Sequence, residues 1–100
     1  MNKFEILTPL GFTVHTSEEY WQKVITKYPD IADLELEGEQ ALANPDEFRH
    51  SSRDRNILFY SVHKSKRWVV AVTKLLNGDE ILITAYQTDP IKEGELIWHK

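Results

Sequence analysis

Arg67-Trp68-Val69-Val70-Ala71-Val72-Thr73-Lys74-Leu75-Leu76-Asn77-Gly78-Asp79-Glu80-Ile81-Leu82-Ile83-Thr84-Ala85-Tyr86-Gln87-Thr88-Asp89 is the stretch that decides the fold. Two β-branched runs flank Asn77-Gly78, and Asn and Gly tolerate the positive φ of a tight turn, so the stretch reads as a β-hairpin. Lys74 and Thr84 interrupt strands that are otherwise apolar on both faces. A polar group aimed into a core costs free energy unless it is paired, so each of these two needs a reason. A two-residue turn places Thr73, Thr84 and Tyr86 on one face with Lys74 opposite. A three-residue turn that includes Asp79 gathers Lys74, Thr84 and Tyr86, because one residue of register moves every side chain to the other face. The longer turn is favoured because it collects the polar intruders on one side.

Working outward, Ile57-Leu58-Phe59-Tyr60-Ser61-Val62-His63 reads as a strand, and Lys64-Ser65-Lys66 as a tight basic turn into the hairpin. Phe48 opens a short strand, and residues 50–56 form a polar loop or edge. Upstream, Thr16 with Glu19 has capping-box spacing. Tyr20, Trp21, Val24, Ile25 and Tyr28 then share one helical face, and Pro29 ends that helix. A second, weaker helix covers Ile31–Ala43, irregular in its first turns because Gly38 disfavours helix, and Asn44-Pro45 stops it. Lys3–Leu7 and Phe12–His15 alternate around Thr8-Pro9-Leu10-Gly11, which predicts an N-terminal hairpin. After Asp89-Pro90 an irregular tail is expected, packed down by Ile91, Leu96, Ile97 and Trp98. The expected architecture is α+β: a short N-terminal hairpin, then two helices packed on an antiparallel meander of three to four strands.

One hundred residues suit one domain spanning 1–100, and 41% hydrophobic with 28% charged residues is a globular composition rather than a disordered one. With no cysteine there is no disulfide framework and no cysteine nucleophile. No apolar run approaches the ~20 residues of a membrane span, and no signal peptide is recognisable, so a cytoplasmic protein without membrane partners is expected. His15, His50, His63 and His99 lack metal-ligand spacing, and the four glycines are too scattered for a phosphate loop, so no metal or cofactor is expected. Charge is uneven. Arg49 to Lys74 carries seven basic residues against Asp54 alone, a local +6, while the rest carries five basic and fifteen acidic residues, −10. Such a split presents a positive field within an acidic whole.

Cleavage of RNA by its own 2′-hydroxyl needs a proton taken, a proton given and a charged phosphorane stabilised, which cations and hydroxyls can supply. Arg53, Arg55, Tyr60, His63, Lys66, Arg67, Lys74, Thr84 and Tyr86 are side chains of those types, all from the meander or the loop before it. With these residues in view, the chain resembles small bacterial proteins carrying a nuclease-like domain of the barnase–EndoU–colicin–RelE (BECR) superfamily. The resemblance rests on Thr8-Pro9-Leu10-Gly11-Phe12, Tyr20-Trp21, Tyr28-Pro29, Asn44-Pro45-Asp46-Glu47, Ser51-Ser52-Arg53-Asp54, Leu58-Phe59-Tyr60, Val72-Thr73-Lys74, Leu76-Asn77-Gly78, Ile83-Thr84-Ala85-Tyr86-Gln87-Thr88-Asp89 and Ile91-Lys92-Glu93-Gly94-Glu95. It implies two helices before a four-stranded sheet, with a site on the open sheet face. The implied activity is that of a toxin-like, metal-independent endoribonuclease, with RNA as substrate and a small antitoxin protein as partner, in a monomer or homodimer. The implied catalytic residues are Lys74, Thr84, Arg53, Tyr60 and Tyr28. Ser51, Arg55, His63, Lys66, Arg67 and Tyr86 would contact RNA. The family's first helix typically ends Lys-His-Pro, whereas this chain has Lys27-Tyr28-Pro29, and a tyrosine of pKa ~10 is a poor base at neutral pH. A non-catalytic interaction module on the same fold is therefore the alternative.

Overall fold

The computed structural model describes residues 2–76, 79–89 and 95–99, without the side chains of 2, 95 and 98. Among these residues seven strands form one sheet: β1 (Asn2–Leu7), β2 (Thr13–Ser17), β3 (Glu47–His50), β4 (Ile57–Lys64), β5 (Arg67–Leu76), β6 (Asp79–Thr88) and β7 (Glu95–His99). Their order is β1-β2-β6-β5-β4-β3-β7. Two α-helices, α1 (Glu18–Lys27) and α2 (Glu35–Ala43), are joined by a 3-10 turn over Pro29–Leu34. The expected meander of three to four strands is corrected by this sheet. The N-terminal hairpin is not a separate unit, because β2 pairs in parallel with β6 through Val14–Glu80 and His15–Ile81. The tail expected to be irregular supplies β7, which pairs with β3 and extends the other side. No helix among the described residues is long and apolar enough to cross a membrane.

The continuous apolar run of β5 follows from its place as the fourth of seven strands, with apolar side chains packed together on both of its faces. Val69, Ala71 and Thr73 join the core under the helices, whereas Val70 and Val72 belong to a second apolar cluster on the opposite face. The main core brings Trp21, Val24, Ile31, Leu34, Ala41 and Leu42 of the helical segments against Phe48, Leu58, Tyr60, Val69 and Leu82 of the sheet. The cap of α1 is Ser17, whose hydroxyl accepts from the Tyr20 N–H at 3.1 Å. Thr16, the cap expected from spacing, is instead held in β2 by pairing with Phe4 and is buried. Between β4 and β5, Lys64 pairs with Arg67, and Ser65 takes the left-handed conformation at φ 55°.

The Asn77-Gly78 turn lies outside the described residues, but Leu76 pairs with Asp79, so Asp79 belongs to β6 and not to a longer turn. The register changes further along. Thr73 pairs with Leu82 and Val72 with Thr84, leaving Ile83 as the extra residue of a β-bulge. That bulge, rather than the turn, sets Thr84 and Tyr86 opposite Val72 and Val70, on the side of β5 that carries Lys74.

Candidate functional site

The sequence-predicted residues fall into four separate places. At one end of the sheet, Lys74 is half-buried, with its ammonium 3.7 Å from the Asp54 carboxylate. Asp54 sits in the loop between β3 and β4, where the Ser51 hydroxyl accepts from the N–H groups of Arg53 (3.1 Å) and Asp54 (3.4 Å). The Leu75 N–H donates to the Asn56 carbonyl at 2.8 Å and ties this loop to β5. Lys74, Ser51, Arg53 and Arg55 are thus gathered at one end, with both arginines exposed. The Lys74 charge is partly answered by Asp54, and the Ser51 hydroxyl is committed to folding its own loop.

At the opposite end lie His63, Lys66 and Arg67. The His63 ring rests against Trp68, with centroids 4.8 Å apart, and the Arg67 guanidinium is 3.0 Å from Asp89. Beside the outer edge of β6 lie Tyr28, Thr84 and Tyr86, with the two tyrosine rings 6.0 Å apart. The Tyr20 hydroxyl donates to the Ile83 carbonyl at 2.7 Å and clamps α1 to this edge.

Tyr60 is in the core, with none of its surface exposed. Its hydroxyl donates to both carboxylate oxygens of Glu80, at 3.0 and 3.1 Å, and the Thr73 hydroxyl donates to the first of them at 2.6 Å. Glu80 is also completely buried, and no lysine or arginine pairs with it among the described residues. Burial pushes the Tyr60 phenol well above its ordinary value; the Thr8 hydroxyl opposes this and the negative Glu80 carboxylate adds to it. A sealed phenol held in its protonated form neither reaches a substrate nor takes up a proton from one. Sequence reasoning passed over Glu80 because an acid beside a turn reads as solvated. Nothing local distinguishes it from Asp79, and its burial follows from partners distant in the chain, Val14 of β2 beside its backbone and Tyr60 and Thr73 around its carboxylate.

The sign of the resulting pH dependence is defined. Folding keeps Tyr60 protonated to higher pH than the unfolded chain, whose tyrosines ionise near ~10. Its contribution is complete below that value and is lost as pH rises above it. Urea unfolding followed from neutral to alkaline pH should show stability falling above about pH 10, with a shallower slope in Tyr60→Phe.

The four places do not form a single concavity. Lys74 and Arg53 lie beside the loop before β4, Thr84 lies at the α1 edge of β6, and Tyr60 lies beneath the helices. No family model, no curated protein and no solved structure matches this chain.

Proposed function

We propose that the chain is a non-catalytic protein-interaction module on a nuclease-like scaffold, and that the sheet face turned away from the helices receives a small partner protein. One observation carries this reading. Buried Phe59, Val70 and Val72 form an apolar cluster on that face, half-buried Ile57, Trp68, Ile83 and Tyr86 pack around it and present its accessible surface, and no helical residue belongs to it among the described residues. A site for a phosphodiester needs cations and hydroxyls at its centre, whereas an apolar centre with charged ends suits a protein interface. Exposed Ile81, opposite Lys74, adds apolar surface on β6, while on the other side the Arg49–Glu47 pair of β3 separates the cluster from exposed Leu96 of β7. The resemblance to the BECR superfamily supports the scaffold, and Tyr28 in place of the family's histidine supports a role without catalysis.

The test places a photo-crosslinking p-benzoylphenylalanine at Ile81 in cells that make the protein, with a second probe at Leu36, an exposed position on α2. A single discrete adduct from the first position and none from the second is the expected result; an adduct at twice the chain mass identifies the partner as a second copy. Adducts from both positions or from neither would remove the reading. The same expression of wild type and Lys74→Ala should leave growth and RNA intact in both. RNA loss that depends on Lys74 would replace this proposal with RNA cleavage.

A further inference from the structure

Four aromatic side chains run in a row from the end of α1, across the edge of β6, onto the helix-free sheet face. Tyr28, the residue that closes α1, meets Tyr86 of β6 with ring centroids 6.0 Å apart. Tyr86 lies opposite Val70 and Trp68 lies opposite Thr88, so these two side chains are diagonal neighbours on adjacent strands, roughly 7–8 Å apart. Trp68 then meets His63 of β4 at 4.8 Å. All four remain accessible: Tyr28, Tyr86 and Trp68 are half-buried and His63 is exposed. The rings tilt against one another, by 42° in the first pair and 39° in the last, so each pair opens a notch rather than a flat platform. The Trp68 indole N–H, which can only donate, has no acceptor among the described residues and is not sealed from solvent.

We infer that this row binds a proline-rich segment in the polyproline II conformation, supplied by the partner protein proposed above. The inference rests on that reading and names the chemistry of the partner. A polyproline II chain has no internal hydrogen bonds, so its carbonyls are open to a donor such as the Trp68 indole. Its backbone is ordered before it docks, and aromatic-lined grooves are the surfaces that receive it. Pyrrolidine rings fill notches between tilted side chains, whereas a nucleobase stacks on a flat, open ring face. The row spans roughly 18 Å, the length of about six residues at ~3.1 Å each. Charge fixes what flanks those six. The exposed Lys27 ammonium stands 5.5 Å from the Tyr28 ring centroid at one end, and exposed Lys66 follows β4 at the other. Neither lysine has a carboxylate partner among the described residues, while Asp30 and Asp89 beside the row are held by Gln87 and Arg67. Acidic residues at both ends of the proline run complement this arrangement.

Titration of the uniformly ¹⁵N-labelled full chain with a synthetic peptide of six prolines and a glutamate at each end tests it. Saturable shifts are expected at the Tyr28, His63, Trp68 and Tyr86 amides and at the Trp68 indole N–H. A peptide with glycine and serine alternating between the same glutamates should bind at least about tenfold more weakly, because it must be ordered on binding. Trp68→Phe keeps an apolar ring while removing the indole donor, and should weaken the proline peptide about fivefold or more. Lys66→Ala should weaken it about twofold, an effect absent when the peptide ends in glutamine. Absence of saturable shifts, equal binding of the glycine–serine peptide, tighter binding of an oligouridylate, or unchanged affinity in Trp68→Phe would overturn the inference. Any of those results beside a crosslink from Ile81 would leave the partner reading standing and remove only its proline-rich chemistry. Peptide binding at the row without that crosslink would remove the wider interface and keep the row.

Discussion

Tyr60→Phe should lower folding stability by about 2–3 kcal/mol, although it removes a single oxygen atom. Among the described residues the second carboxylate oxygen of Glu80 accepts only from the Tyr60 hydroxyl, so the substitution strands part of a carboxyl group that has no exposed surface. The first oxygen keeps Thr73 at 2.6 Å. A buried carboxyl oxygen that loses its donor costs more than the hydrogen bond was contributing, because water cannot replace it. For a chain of this length the loss corresponds to a fall in Tm of roughly 10 °C or more. Thermal and urea unfolding measure it directly. Replacing the whole cluster with apolar groups, in Tyr60→Phe with Thr73→Val and Glu80→Leu, should restore most of the stability, since removing all partners leaves nothing unpaired. A cost below about 0.5 kcal/mol in Tyr60→Phe would mean that the phenol is not what holds the carboxylate.

The second large effect separates two tryptophans by the sheet face each one serves. Trp21 is 4% exposed on α1, meets Phe4 edge-on at 6.2 Å, and joins the core under the helices. Trp21→Ala should cost about 3–5 kcal/mol, a large share of the 5–15 kcal/mol that holds a domain together. Trp68 borders the helix-free cluster and is only half-buried. Trp68→Ala should cost about 1 kcal/mol of stability, by its smaller buried area, and should abolish the adduct formed from Ile81. Unfolding curves and the crosslink together check the pair. A folded Trp68→Ala protein that still forms the adduct would show that this face is not where the partner sits.

Much of the meander was legible because its signals are local. The β-branched runs of β4, β5 and β6, the Asn-Gly between two of them and the Pro29 stop after α1 each act within a few residues. The seven-stranded sheet was not legible, because its outer strands depend on partners distant in sequence. β2 reaches β6 across more than sixty residues, and β7 is a strand only because β3 lies beside it. Ile97, the extra residue between two β3 pairings, also breaks the alternation that would have marked β7. Alternation in β4 set Leu58 and Tyr60 apart from Phe59 and Ser61 but could not say which set meets the helices. On sequence alone Tyr60 is as readily placed on the solvent-facing side. The grouping of Lys74 with Ser51, Arg53 and Arg55 was within reach because their loop closes directly onto β5.

The parallel ladder between β2 and β6, two residue pairs long, bears on how the chain comes to be assembled. During synthesis the first seventeen residues emerge early, yet their strand partner is made only when residues 80 and 81 have left the ribosome. Contacts that span so much chain form late, after the nearer antiparallel pairings have closed their loops. Amide protons of Val14 and His15 should therefore exchange faster than those of β5, marking the amino-terminal hairpin as the last piece to dock and the first to lift away.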